Sequence, residues 1–494
     1  MISIGITVQD FVLFMPTLAL TLLGFGIIIL GLIFPRMYRE TMAAVVLFGL
    51  ALAVFLIINH NWSDDKLIFN EMISVDKFSH GFAVVFMIAA GLTVLLSLNS
   101  LEGSSLLVSE YFALIIFATV GMNLMAASAH LLTLFLGVET LSVSLYILAG
   151  FRRTDKYSLE ASFKYFLLGA FASGFLLYGI ALIYGSVGSA KLSAISAALN
   201  GANGSALASP RLFTAGLVMM VVGFGFKIAL VPFHAWAPDV YEGAPTPISA
   251  FMATGSKAAG FAALLRVVVA SGMMNNVDWQ QVMWVIAVAT MTVGNIVALR
   301  QESVKRMLAY SSIAHAGYIL VGVLAKDEHG ISAVLFYLLS YTFVNLGAFG
   351  VIAFLARGER DNIKLEELRG LAYRHPLIAL AMSLFMFSLA GIPLTAGFMS
   401  KFYIFLAAVQ SGYLWLVILG VINSMISLYY YLGVVVQMFM HRNEEEKPAF
   451  DPLPAVALAL FIAAFATLHL GFSPARWMET FQDAEKHCKI TQER

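Results

Sequence analysis

The sequence has 494 residues, of which 60% are hydrophobic and only 12% charged, with a formal net charge of zero. Soluble domains carry about 25% charged residues, so the composition excludes a soluble enzyme and indicates a polytopic membrane protein; the neutral balance offers nucleic acid no footing. The single cysteine, Cys488, excludes an internal disulfide, a cysteine-ligated cluster and a zinc ribbon, and no GxGxxG, Walker or HExxH motif occurs, so any redox chemistry belongs to another chain and no cofactor is expected here.

At about 20 residues per crossing, the apolar stretches predict roughly 14 spans, near 11–35, 42–59, 78–98, 107–127, 129–150, 159–186, 213–237, 245–271, 279–299, 304–325, 329–357, 377–410, 413–440 and 453–472. The first lacks the basic leader of a secretory signal and is longer than a signal core, so it reads as a true span. The fifth contains Glu139 in "LFLGVETLSV". Lys164 stands about one turn into the sixth, where its side chain is expected to snorkel. The stretch 187–212 reads as a small-residue linker, and no loop is long enough for a soluble domain.

The seventh span, "GFGFKIALVPFHAW", places Lys227 near its middle and Pro232 five residues later, and His234 and Trp236 are expected as interfacial structure at its end. Proline lacks an N–H and its ring clashes with the carbonyl four residues back, here that of Ile228. The eighth span has Lys257 among small residues in "ATGSKAAG", and Arg266 close enough to its end to snorkel. The tenth contains "YSSIAHAGY", with Ser311, Ser312 and His315. Tyr337, Tyr341 and Asn345 recur every four residues in the eleventh, and Asn423, Ser427 and Tyr430 share a face of the thirteenth. Such stripes either join helices by hydrogen bonds or order water. The twelfth span repeats the break, with Pro393 between Gly391 and Gly397 and Lys401 two turns on; at about 34 residues it is too long for one straight crossing.

Loop charges set the orientation. Loops after odd-numbered spans carry Arg36, Arg39, Arg152, Arg153, Lys156, Arg300, Lys305, Arg306, Arg357, Arg360, Lys364, Arg369, Arg374, Arg442 and Lys447, while those after even-numbered spans carry only Lys66, Lys77, Lys191, Arg211 and Lys326. The odd loops are expected in the cytoplasm and both termini on the opposite side. Lys227, Lys257 and Lys401 remain deep in spans with one equally deep carboxylate, Glu139. A charge at the bilayer centre costs about 2.5–3.5 kcal/mol even on the cheaper scales. Static pairing cannot satisfy three lysines with one carboxylate. A lysine held out of water gives up its proton more readily, which is the property a proton relay needs. Two interrupted spans at matching places suit an inverted-repeat transporter: spans 4–8 and 9–13 form two five-helix units, with the broken helix fourth in each. The expected fold is all-α and polytopic, with a three-helix segment at 1–105, a first unit at 106–275, a second at 276–445, and a last span and tail at 446–494.

The stretches "FKIALVPFHAWAPDVYEGAPTPISAFMATGSKAAGF" and "KRMLAYSSIAHAGYILVG" closely resemble the antiporter-like membrane subunits of respiratory complex I, and within them the subunit N group, over nearly the whole chain. The resemblance implies 14 transmembrane helices with two inverted five-helix repeats and discontinuous helices 7 and 12. It implies proton movement driven by NADH oxidation and quinone reduction elsewhere in a complex, with NADH, FMN, iron–sulfur clusters and quinone held by partner subunits, neighbours of the M and K kinds, and residence in an energy-transducing membrane, the bacterial inner one. It identifies Glu139 with a helix 5 glutamate that pairs with the helix 7 lysine and tunes its proton affinity. Lys227 matches that lysine, Lys257 a central lysine on helix 8, and Lys401 the helix 12 lysine at the exit, with His315 on the axis between the halves. Pro232, Pro393, Tyr341, Asn345 and Ser427 are expected in support. Lysine at 401 separates the chain from the M group, which has glutamate there, and the short tail separates it from the L group with its long lateral helix. A subunit of a multi-subunit cation/proton antiporter shares the fold and the lysines, and a structural spacer between other pumps is the remaining alternative.

Overall fold

A computed structural model describes residues 6–35, 37–59, 66–101, 108–200, 207, 209–270, 277–325, 329–356, 362–441 and 454–490. Arg36, Lys326, Arg357, Arg360, Arg442 and Lys447, the side chain of Cys488 and the three expected unit boundaries lie outside the described residues.

A short α1 (Val8–Leu13) leads into α2 (Met15–Ile33) and α3 (Arg39–Asn59). A two-stranded antiparallel hairpin follows, β1 (Lys66–Ile68) on β2 (Ile73–Val75), with Leu67 opposite Ser74. Then come α4 (Lys77–Ser100), α5 (Val108–Ala126), α6 (Leu131–Ala149), α7 (Lys156–Val187), α8 (Leu192–Asn200) and α9 (Pro210–Lys227). The chain continues as α10 (Trp236–Gly243), α11 (Thr246–Phe251), a π-helical turn (Met252–Ser256), α12 (Lys257–Ala270), α13 (Val277–Ala298), α14 (Val304–Leu324) and α15 (Gly330–Leu355). Last are α16 (Leu371–Arg374), α17 (Pro376–Ala390), α18 (Ala396–Gln410), α19 (Leu414–Met440), α20 (Pro454–Phe472) and α21 (Pro474–Ile490).

Among the described residues, 13 helices are long and apolar enough to cross a membrane, and the shorter α17 and α18 together make the expected twelfth crossing. The protein is an all-α polytopic membrane protein. Burial sorts the crossings by position. The α11–α12 crossing is wholly buried, and α14 and α15 are 94% buried, whereas α2 is 22% buried. A helix apolar all round and buried all round is a core helix, so these three form the centre and α2 faces outward.

A packing pattern recurs along the chain. The α5–α6, α6–α7 and α7–α9 contacts are matched by α13–α14, α14–α15 and α15–α17. Glycine lets α5 meet α6, and α13 meet α14, backbone to backbone. A Cβ on Gly121 would stand 2.6 Å from the Leu141 nitrogen, and one on Gly294 the same distance from that of Ala314.

Three expectations change, and one element is added. The linker at 187–212 includes a helix, α8, whose entry is tied to the start of α6 by the Leu131 N–H to Ala190 C=O bond of 2.9 Å. The tail is also helical: α21 turns back against α15 and α4. Arg266 does not snorkel. It is buried and grips Asp76 through two bonds, Nη1 to Oδ2 at 2.6 Å and Nη2 to Oδ1 at 2.9 Å, while donating to the Ala126 carbonyl. Its guanidinium also lies 4.4 Å over the Phe78 ring. Trp236 is buried rather than interfacial: it stacks on Tyr165 at 4.6 Å and donates through Nε1 to the Phe226 carbonyl at 2.9 Å. Indole buries well only where its N–H finds an acceptor, and the break after α9 supplies one. His234 is half-buried.

Candidate functional site

Lys227 is the last residue of α9. The helix stops five residues ahead of Pro232, because Ala229 adopts a left-handed conformation (φ 59°) and the Leu230 N–H turns back to the Gly225 carbonyl at 2.7 Å. Freed backbone at this depth needs partners from neighbouring elements; the Val231 N–H finds the Thr290 hydroxyl on α13 at 3.1 Å. Lys227 is 6% exposed and its Nζ donates to Ser142 Oγ on α6 at 2.8 Å. Glu139 stands one turn before Ser142, and its Oε1 has no hydrogen-bond partner among the described residues. The implied glutamate–lysine pair is therefore a neighbourhood with a serine at the lysine, not a direct ion pair.

Lys257 follows the π-helical turn directly. The run of small residues before it lets the helix widen there, and such turns are frequent at functional sites. Lys257 is 1% exposed and donates to both the carbonyl and the hydroxyl of Ser312 on α14, the latter at 2.5 Å. Gly260 brings α12 against the break after Lys227: a Cβ there would fall 2.3 Å from Ile228 Cγ2 and 3.5 Å from Lys227 Cγ.

Lys401 occupies α18, past the second break. Gly391 (φ 87°) and Leu394 (φ 71°) end α17 and turn the chain. Lys401 Nζ donates to the carbonyls of Leu389 (3.0 Å) and Ala390 (3.1 Å) and to Ser424 Oγ on α19 (2.8 Å), and it lies 5.0 Å over the Tyr318 ring. Ser427 donates to the Ser424 carbonyl at 2.6 Å, so this member of the thirteenth-span stripe braces the lysine's partner. Asn423 and Tyr430 reach across to Asn295 on α13 at 3.5 and 2.9 Å, which joins helices.

His315 lies between the lysines on α14 and is buried. Tyr337 meets its Nδ1 at 2.6 Å and Tyr431 its Nε2 at 3.1 Å, while the Tyr341 ring tilts over it at 5.0 Å. Asn345 is buried one turn beyond Tyr341 on α15. A line of titratable and hydroxyl groups thus runs through the core of a predominantly helical protein. Among the described residues, no group of three or more His, Cys, Asp or Glu side chains is placed to hold a metal.

The chain is similar to known membrane proteins over most of its length. Residues 128–427 match the family described as "NADH:quinone oxidoreductase/Mrp antiporter, TM". The chain is 47% identical over 472 residues to NADH-quinone oxidoreductase subunit N of Trichlorobacter lovleyi, covering 96% of each chain. The chain belongs to the subunit N family. A subunit N 1 of Solibacter usitatus is 41% identical over 475 residues. A chain of respiratory complex I from Thermus thermophilus with bound aureothin is similar in structure, with a TM-score of 0.80 at 36% identity over 94% of this chain and 98% of that one. A chain of the Mrp complex from Dietzia sp. has a TM-score of 0.82 at 20% identity, which speaks to fold alone.

Of the five residues expected to form the relay in this subunit N family member, Lys227, Lys257, His315 and Lys401 are buried in the core and Glu139 is half-buried; Pro232 and Pro393 lie in the two breaks. What sequence reasoning missed is the lysines' partners. Each deep lysine meets a serine on another helix: Ser142, Ser312 and Ser424. Ser142 follows Glu139 by one turn, and Ser312 lies in the quoted "YSSIAHAGY", but nothing in a one-dimensional pattern pairs helix 6 with helix 9. Tyr431, beside the singled-out Tyr430, also escaped notice.

Proposed function

We propose that the protein works as the proton-translocating membrane subunit N of an NADH:quinone oxidoreductase. It holds no redox group itself; NADH, FMN, iron–sulfur clusters and quinone belong to partner subunits. Its neighbours are other membrane-arm subunits, of the M and K kinds. It resides in the bacterial inner membrane with both termini on the non-cytoplasmic side, as the loop charges favour. The chain divides into the three-helix segment, two inverted five-helix units and the final helix and tail at the boundaries given above. The observation that supports this most directly is the placing of three buried lysines, each on a hydroxyl, with a buried histidine between Lys257 and Lys401. A proton enters at Lys227, is displaced to Lys257 when charge moves at Glu139, passes His315 and leaves by Lys401. Removing either member of the first pair, by Lys227→Ala or Glu139→Ala, lowers the proton-to-electron ratio of the assembled complex in proteoliposomes. A normal ratio in both would end this reading. Membership of a cation/proton antiporter is less supported, since the relatives at 41–47% identity are subunits N and the Mrp likeness is one of fold.

A further inference from the structure

The proposed path has an unassigned middle. Lys257 ends on Ser312, and Lys401 lies beyond His315. Ser311, the next residue to Ser312, is hydrogen-bonded to the Tyr431 hydroxyl; Tyr431 also contacts His315 Nε2 at 3.1 Å, and the other ring nitrogen contacts the Tyr337 hydroxyl at 2.6 Å. All four groups are buried, with 6% exposure or less. Beyond them, a cavity of about 10 Å³ is lined by His315, Tyr337, Tyr341, Ser388, Leu389 and Ser400. That is near the smallest space that admits a water. Leu389 on its far wall is the residue whose carbonyl accepts from Lys401.

We propose that Ser311, Tyr431, His315 and Tyr337 form a direct hydrogen-bonded proton wire, with Tyr431 as the proton-carrying group between the Lys257 side and the histidine. This rests on the proton-translocating reading above. Every member both donates and accepts, since a hydroxyl can do either and a neutral imidazole has one nitrogen of each kind. A proton arriving at Ser311 Oγ releases the serine's own proton to Tyr431, which passes its proton to His315 Nε2. The imidazole gives up its Nδ1 proton to Tyr337, whose hydroxyl proton leaves into the cavity toward α17 and Lys401. One O–H or N–H bond forms for each that breaks, and no electrons are transferred. The imidazole ends as the other tautomer, so the wire must turn over before the next proton. Such chains polarise cooperatively in a low dielectric. Phenylalanine fits the space of Tyr431, whose ring packs on Tyr430 at 4.3 Å, but breaks the wire.

The test is Tyr431→Phe in the assembled complex in proteoliposomes, with protons moved per NADH oxidised as the readout and Lys257→Ala alongside. The expected result is a fall of several-fold in the ratio for Tyr431→Phe, restored by 3,5-difluorotyrosine at position 431, which keeps a hydroxyl. A ring needed only for packing would be served by phenylalanine as well. A normal ratio in Tyr431→Phe with a lowered one in Lys257→Ala overturns the wire and leaves the proposed function standing. Normal ratios in both overturn that function too. Should Tyr431→Phe fail to assemble, Ser311→Ala, which removes the hydroxyl bonded to Tyr431, decides: a ratio several-fold below the unsubstituted complex supports the wire, and a normal one overturns it.

Discussion

Ser142 shows how much can hang on one hydroxyl in a dry site. It accepts from the buried Lys227, and while that lysine carries its proton a hydrogen bond to the charged group contributes about 1.5–3 kcal/mol. Ser142→Ala is therefore expected to slow coupled proton movement roughly tenfold for each 1.4 kcal/mol lost, with assembly intact; proteoliposome pumping against NADH oxidation reads it, and an unchanged rate would mean that Lys227 does not depend on this contact. Arg266 makes the opposite case, a charge whose task is structural. Burial would push the Asp76 carboxyl up, but the charge and hydrogen bonds of Arg266, with those of Ser74 and Ser79, hold it below the usual aspartate range. A carboxylate so lowered lends its stability in full above its ordinary value and loses it as the pH falls through the folded one, so the pair is intact throughout the neutral range. Arg266→Met leaves an unpaired buried carboxylate and should cost about 3–5 kcal/mol, whereas Arg266→Met with Asp76→Leu should come close to neutral. Melting temperatures of the detergent-solubilised complex distinguish the two. An equal loss in both would put the weight on the arginine's bonds to Ala126 instead.

Among the elements, the broken helices were the most legible and the least well located. Proline and glycine announce both interruptions, at Pro232 and Pro393. In the first, however, the helix ends at Lys227, earlier than a proline clash requires, because left-handed Ala229 and the Leu230 turn do the work. Nothing about an alanine advertises that conformation. In the eighth span, small residues signal close approach but not the change of hydrogen-bond spacing at Met252–Ser256. Helix α8 was hidden in composition that also suits a linker. Periodicity and length gave the crossings themselves because lipid leaves so few alternatives. At Gly391 the backbone has φ 87° and a Cβ would meet Lys401 Cδ at 3.2 Å and Nζ at 3.4 Å. Gly391→Val should both strain the turn and displace the lysine, lowering pumping several-fold while subunit content on native gels is kept. If pumping survives, the second break does not set the position of Lys401.

In the whole molecule, the crossings α11–α12, α14 and α15 make a buried centre, and the polar line crosses it from α6 to α19. Its route could be anticipated from charges that lipid would otherwise reject. The pairing of those charges could not, because it depends on helices being adjacent in space. The sidedness is open to direct test. With Cys488 replaced by serine, a cysteine at Arg153 should react with a membrane-impermeant maleimide only in inverted vesicles, and one at Lys191 only in right-side-out cells. The reverse labelling would turn the whole arrangement over.

The carbonyls of Leu389 and Ala390, which receive Lys401, form the C-terminal end of α17. A helix carries about half a negative elementary charge there. Lys401 therefore faces a counter-ion built from peptide dipoles, and peptide carbonyls do not titrate. A carboxylate in the same place can take the proton from its lysine and quench both charges. A helix end cannot: it lowers the cost of holding the charge yet leaves the proton nowhere to go but onward. Cutting a helix in mid-membrane thus produces an electrical partner with no chemistry of its own, which is a reason for a chain to keep so costly a break.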